Sequence, residues 1–282
     1  MDNKIKFYLF IIIFNVSTIA CDKVDIRNMF INYEPVDERF DHSMAWNENH
    51  PFKEISLATD NYTLFTMGDS HIGGTKNFDA FIDSSITSNA AAAVLVGDIT
   101  NGNESDYDML YQHLPNPAPL AIFPIVGNHD LYFNGWEKFW TLFGTSTFLF
   151  TVKTPVASDL YICLDTGGGT LGSKQLVWFK EVLANQRPNY RRCIILTHNN
   201  LFRFRRTSST NPLAEELYVL LDLFAIHQVD MVITGHDHAK DAEVFGNTTH
   251  IVMDALKDEY KEAGYFKLNV QGGIIQYQFI NF

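Results

Sequence analysis

At 282 residues, 46% hydrophobic and 19% charged, the chain is long enough for one large α/β domain, and it has no low-complexity tract, heptad or collagen-like period, or internal repeat. The formal net charge is −12, and −13 once residues 1–20 with Asp2, Lys4 and Lys6 are set aside. That balance argues against a nucleic-acid binder, which needs a basic stripe to release counterions, and only Arg203, Arg205 and Arg206 approach one.

The first residues have the three parts of an export signal. Lys4 and Lys6 precede the apolar run Phe7 to Phe14, and Ser17, Thr18 and Ala20 lead to Cys21. The run is too short for a permanent membrane-spanning helix. Thr18 and Ala20 suit an ordinary signal peptidase. Ala20 followed by Cys21 also resembles a bacterial lipoprotein box, with Thr18 where Leu is usual. The lipoprotein type is preferred, because a lone cysteine at the cleavage point is otherwise a coincidence. It predicts a signal peptide over 1–20, membrane attachment through a lipid on Cys21, and an exported protein. Residues 21–58 are polar and without period, and read as a tether and lead-in.

The domain is expected over 59–282. Short apolar runs of strand length cover Tyr62 to Met67, Ala92 to Val96, Leu120 to Val126, Leu160 to Leu164, Cys193 to Thr197 and Met231 to Thr234. Helix-like stretches lie between them at Asn77 to Ser88, Ser105 to His113, Trp136 to Phe143, Ser173 to Ala184 and Pro212 to His227. Alternation of this kind implies βαβ units and a parallel or mixed sheet. Ala242 to Phe282 reads instead as strands joined by turns, and predicts a second, mostly antiparallel sheet portion. Cys163 and Cys193 lie in strand-like runs; they could pair in an exported protein, but read as small core residues.

Five short sequences stand where strands should end: Asp69-Ser70-His71, Gly97-Asp98, Gly127-Asn128-His129-Asp130, Thr197-His198 and Gly235-His236-Asp237-His238. Each offers a hard or borderline metal ligand. Side chains two apart on an extended segment point the same way, so Asp69 with His71, and His236 with His238, can face one cavity. Intervals of about 30 residues between the first three motifs match one strand-helix-strand unit, which returns the chain to the same sheet edge. Taken singly, each of these residues is more often a cap, a turn former or a hydrogen-bonded core residue. Together they hold five of the ten histidines, and buried without a cation they would leave carboxylates and imidazoles unpaired at large cost.

The set Asp-x-His, Gly-Asp, Gly-Asn-His-Asp, His and Gly-His-x-His, over residues 62 to about 238, resembles the calcineurin-like metallophosphoesterase superfamily. The run Asp165 to Gly172 with Gln175 and Trp178 is similar to the loop and helix between that family's third and fourth motifs. The resemblance implies an α/β fold, a four-layer α/β/β/α sandwich with two mixed sheets. It puts Asp69, His71 and His238 on one divalent metal ion and Asn128, His198 and His236 on a second, with Asp98 bridging. In such sites, with metals about 3.5 to 4 Å apart, a shared water loses a proton near neutral pH and attacks phosphorus in line. The resemblance makes His129 a phosphate contact and proton donor to the leaving oxygen, with Asp130 or a neighbouring carboxylate holding its ring.

Carboxylate, amide and imidazole donors without thiolate suit Mn, Fe or Zn. Purple acid phosphatases carry a Tyr three residues after the bridging Asp and a Gly in the first motif; Asn101 and His71 stand there in this chain, which argues against an iron-tyrosinate site. The expected activity is hydrolysis of a small phosphomonoester or phosphodiester by an exported enzyme. An exported nuclease and a non-catalytic, metal-stabilised surface binding protein are the alternatives. Arg203, Arg205 and Arg206 read as a solvated loop, with substrate phosphate as the other reading, and His42, His50, His113, His227 and His250 read as structural or exposed. Tyr132 and Phe133 fit core packing or a specificity pocket.

Overall fold

A computed structural model describes residues 34–50, 53–116, 119–202 and 213–282. The leader, Cys21 and the arginines at 203, 205 and 206 lie outside the described residues. Among those described, no helix is long and apolar enough to cross a membrane.

The elements follow in order as α1 (Val36–Asn49), β1 (Lys53–Ser56), β2 (Asn61–Met67), α2 (Lys76–Thr87), β3 (Ala92–Val96), α3 (Glu104–His113), β4 (Ala121–Ile125), a 3-10 turn (His129–Asn134), α4 (Gly135–Phe143), β5 (Phe148–Lys153), β6 (Ser158–Leu164), α5 (Gly172–Asn185), β7 (Cys193–Thr197), α6 (Ala214–Ile226), β8 (Met231–Thr234), β9 (Asp241–Phe245), β10 (Thr248–Val252), β11 (Gly264–Gln271) and β12 (Ile274–Asn281). One sheet has the order β1-β5-β6-β7-β8-β10-β9 and the other β12-β11-β2-β3-β4. Both are mixed: β2, β3 and β4 run parallel, as do β6, β7 and β8, while β5, β9, β11 and β12 make antiparallel pairs.

Strand parity builds the layers. Leu64, Val94, Ile194 and Leu196 point into a core between the sheets, with Phe150 and Tyr161. The alternate residues Phe65, Ala93 and Leu95 face α2, α3 and α4 through Phe78, Phe81, Tyr107, Trp136 and Phe139. On the outer face of the larger sheet, Leu160, Ile162, Ile195 and Val232 meet Phe179 and Val182 of α5 and Leu220 and Phe224 of α6. Three apolar interfaces require four layers, so the α/β/β/α sandwich is present. Helix α2 shows why such segments are helical: its buried Phe78, Phe81, Ile82 and Ser85 recur at the three- and four-residue spacing of one helical face.

Two expectations are corrected. The tail forms no sheet of its own: β10 adds in parallel to β8 and β11 adds antiparallel to β2, so each sheet receives one hairpin. Turn residues mark a hairpin but not the edge on which it docks. Within the stretch read as a tether, Val36–Asn49 form a helix and Lys53–Ser56 an edge strand that belong to the domain. Helix α1 is polar on average, yet it buries Arg39, Phe40 and Ser43. Gly144 ends α4 in the left-handed conformation (φ 76°), and its N–H donates to Trp140 O; a Cβ there would strike the Trp46 ring of α1 at 2.1 Å. Cys163 and Cys193 are buried free thiols, the first in the inter-sheet core and the second on the helix side, as core residues rather than a pair.

Candidate metal centre

The five motif loops leave the carboxyl ends of β2, β3 and β4 in one sheet and β7 and β8 in the other, so the site straddles the sandwich. The parallel ladders continue past the strands into the loops. Asp69 N–H donates to Gly97 O and His71 N–H to Asp98 O, both at 3.0 Å, and Gly235 N–H donates to His198 O at 2.9 Å. Two bonds then join the sheets: His236 N–H to Asp69 Oδ2 at 2.8 Å, and His198 Nδ1–H to Val96 O at 2.9 Å. The second bond engages the His198 Nδ1–H and turns its Nε2 toward the cleft.

The Asp-x-His and His-x-His pairs do not converge by strand alternation as expected. Asp69 (φ 56°), His71 (43°), Asp98 (48°), His236 (75°) and His238 (53°) all adopt left-handed backbone, half of the ten non-glycine residues that do so among those described. Each costs energy that the surrounding hydrogen bonds must offset, and such strain concentrates at functional sites. Gly97 (φ 75°) and Gly235 supply the clearance: a Cβ would lie 2.5 Å from the His198 ring at Gly97 and 2.5 Å from Asp69 Oδ2 at Gly235.

Among the described residues the candidate donor atoms fall into three overlapping groups, of which His71, Asp98 and His129 form the one that links the other two. Asp69, His71 and His238 form one, with His238 Nε2 lying 3.1 Å from Asp69 Oδ1 and 3.3 Å from His71 Nε2. Asp98, His198 and His236 form the other, with His198 Nε2 3.2 Å from Asp98 Oδ2 and 3.1 Å from His236 Nδ1. Asp98 Oδ2 also lies 3.9 Å from Nε2 of both His71 and His129, and its Oδ1 accepts the His129 N–H at 2.7 Å. Asn128 is buried beside them, and its Nδ2–H donates to Tyr132 Oη at 3.4 Å. The clusters separate Asp69, His71 and His238 from His198 and His236, and Asp98, which clusters with the second set, approaches the first through His71.

Charge is concentrated here under deep burial. Burial would raise the Asp69 carboxyl, but the adjacent His238 and then His198 outweigh it and hold it at about 2. Asp98 is likewise kept well below the usual carboxylate range against its burial, by His198 first and then His129. His198 is drawn up to about 9, since the Asp98 charge and hydrogen bond overcome the desolvation that opposes it. His71 moves down to about 4, because desolvation dominates there.

His129 sits at the rim with its side chain a third exposed. Its ring lies 4.5 Å from that of His71 and 4.5 Å from that of Tyr132. Asp130 does not hold it. That carboxylate is fully buried and accepts from Gly127 N, Ile99 N, Thr100 N and Thr100 Oγ1, which ties the second motif loop to the third. The carboxylate that approaches the His129 ring is Asp98, at 3.9 Å from Nε2. Burial and then Asp98 push the Asp130 carboxyl up to about 7. Tyr132 is core, as one reading had it, whereas Phe133 is exposed in left-handed backbone. Of the other histidines, His42 pairs with Trp136 Nε1, His113 with Asp79, and His250 is buried among Phe202, Phe224 and Phe245.

Two neighbours were missed in the sequence. Tyr260 donates its hydroxyl to His238 O at 3.1 Å, and Asn200 Nδ2 donates to Asp237 at 2.8 Å, joining the fourth loop to the fifth. The adjacency of Asn200 to His198 was the only available signal for either.

The profile of the family described as "Calcineurin-like phosphoesterase" matches residues 62–240. No curated protein sequence matches the chain. Its fold is similar to that of a dimetal phosphatase of Danio rerio (TM-score 0.62, 13% identity, 78% of this chain and 96% of that one). It is also similar to the anchor GAP50 of the inner membrane complex of Plasmodium (TM-score 0.59, 14% identity, 79% and 85%). A purple acid phosphatase of yellow lupin is a third (TM-score 0.60, 14% identity, 78% and 52%).

Proposed function

Because the chain belongs to the calcineurin-like phosphoesterase family, we propose that it hydrolyses phosphomonoesters or phosphodiesters with the help of two divalent metal ions. The observation that carries this reading is the Asp98 carboxylate, which adjoins His198 of one donor group and His71 of the other, with His129 beside Asp98 and His71. The donors fit such ions: carboxylate, amide and imidazole without thiolate suit Mn, Fe or Zn, and His198 has its Nδ1–H engaged, so Nε2 is the atom that would ligate once a cation displaces its proton. When bound, two such ions stabilise charge on the phosphoryl oxygens and acidify water at the site.

Asp69, His71 and His238 would hold one ion and His198 and His236 the other, with Asn128 joining the second set and Asp98 shared as the family resemblance implies. Two divalent cations outweigh two carboxylates, so the cleft attracts a phosphate in a protein that is acidic overall. His129 reaches the rim, where its imidazole can hand a proton to the departing oxygen. Asp130 serves by holding the loops of Asp98 and Asn128 together. A fold that also occurs in an anchor of Plasmodium does not by itself imply turnover. The complete donor set and a proton donor at its edge favour an enzyme over a metal-stabilised binding protein.

Purified protein with added Mn is expected to cleave a chromogenic phosphate or bis-phosphate ester, and Asp98→Ala or His198→Ala to abolish cleavage. Active protein with fewer than one transition metal per chain would rule out the two-ion mechanism. DNA substrates assayed beside the small esters, over a range of salt, discriminate a nuclease. We further propose export with attachment through Cys21, from the composition of residues 1–21. Loss of membrane fractionation in Cys21→Ala tests it.

A further inference from the structure

Helix α1 lies outside the span that the family profile matches, yet one of its side chains reaches the layer behind the metal ligands. Arg39 is 1% exposed, and its Nε and Nη2 donate to Asp165 Oδ2 and Oδ1 at 2.7 and 3.0 Å, a buried bidentate pair. Asp165 opens the loop after β6. Gln175 holds its backbone from the other side, accepting its N–H and donating to its carbonyl, both at 2.8 Å. Asp165 Oδ1 also accepts the Gly167 N–H at 3.0 Å, which makes residues 165–167 a short rigid unit.

That unit touches two ligand loops. Thr166 Oγ1 accepts the N–H of Asn199, the residue after His198, at 2.9 Å, and shares a hydrogen bond of 2.8 Å with Thr197 Oγ1, the residue before it. Gly167 is pressed against the turn that carries Asn128: a Cβ there would lie 2.9 Å from Gly127 O and 3.0 Å from Leu131 Cδ1. Asn128 and His198 are assigned to the same ion, so the spacing between their loops is set by the segment that Arg39 clamps.

We infer that Arg39 is a positioning residue for the second ion, keeping Asn128 and His198 at the separation one cation requires. The inference rests on the two-ion reading. Without the guanidinium, a buried Asp165 carboxylate must neutralise or turn toward water, and either response moves Thr166 and Gly167. Lysine keeps the charge but lacks the fork, so it restores the clamp only in part.

The test uses the full chain, stripped by chelation and titrated with Mn by calorimetry, with EPR to distinguish coupled from isolated Mn. The wild type should bind two ions per chain and give the coupled signal. In Arg39→Gln the first site should be unchanged and the second weakened about tenfold or more, as for loss of an outer partner of a ligand. Arg39→Lys should be intermediate. Arg39→Met with Asp165→Asn, which leaves no buried charge unpaired, should also weaken only the second site. If Arg39→Gln does not fold, these two variants decide by the same readout. Wild-type affinity at the second site, or equal weakening of both sites, overturns the inference. A wild-type chain that binds fewer than two ions takes down the phosphoesterase reading as well, whereas a two-ion wild type with unchanged variants takes down only the role of Arg39.

Discussion

Replacing Asp98 by Asn tests the joint ligand with little change of shape. The amide oxygen can still accept the His129 N–H that Asp98 Oδ1 accepts at 2.7 Å. What is lost is the charge that sits 3.2 Å from His198 Nε2 and 3.9 Å from His71 Nε2, one nitrogen from each donor group. With each ion at about 100 times its dissociation constant, binding stabilises the native state by about 2.7 kcal/mol per site, or about 5 kcal/mol for two. For a domain of this size that corresponds to a rise in Tm of about 10–20 °C on adding Mn to chelator-treated wild type. With the one carboxylate proposed to serve both ions removed, Asp98→Asn should reduce the increment to a few degrees at the same Mn concentration, and hydrolysis should be lost with it. Differential scanning calorimetry of each protein against its own chelated baseline measures the increment. An increment equal to the wild type's refutes the reasoning, as does loss of one ion with the other's affinity intact.

His129→Ala should lower kcat by about 10²- to 10⁴-fold while two metals per chain are retained, as elemental analysis beside the ester assay can check. Gly97→Ala should cost about 2–4 kcal/mol in urea unfolding, since it combines a left-handed backbone with a Cβ 2.5 Å from the His198 ring. His250, which burial lowers to about 4, gives stability a pH dependence away from the metals. Below the ordinary histidine value near 6.5 the unfolded chain takes up a proton that the native state refuses until about pH 4, so His250 lowers stability by about 1–3 kcal/mol as pH falls through that window. His250→Phe should therefore lose less stability than wild type between pH 7 and pH 4.5, as read from urea midpoints; parallel losses would contradict this.

Much of the architecture was legible because burial on one or two faces leaves a period in the residues. Cys193 to Thr197 and Met231 to Thr234 coincide with β7 and β8, and the helix-like stretches lie within a few residues of α2 through α6. Helix α1 was not legible, because its inward face carries Arg39 and Ser43 beside Phe40, and a buried arginine reads as a surface residue until its carboxylate is known. Pro35 followed by Asp37 and Glu38 was the available start signal. Arg39 and Asp165 are 126 residues apart, so no local pattern announces the pair.

The sequence by itself marked the candidate donors, because metal chemistry restricts the residue types and a βαβ unit restricts their intervals; Asp69, His71, Asp98, Asn128, His198, His236 and His238 all stand on the loops expected. Tertiary structure decided how they converge. The paired ligands meet through left-handed turns rather than extended strands, and Asp130 turned from His129 toward the backbone of Gly127, Ile99 and Thr100. It also decided where the tail strands dock, one hairpin to each sheet. The physical reason is the same in each case. Residue type fixes what a side chain can bind, while the hydrogen bonds and clearances that select among its possible partners come from segments distant in the chain.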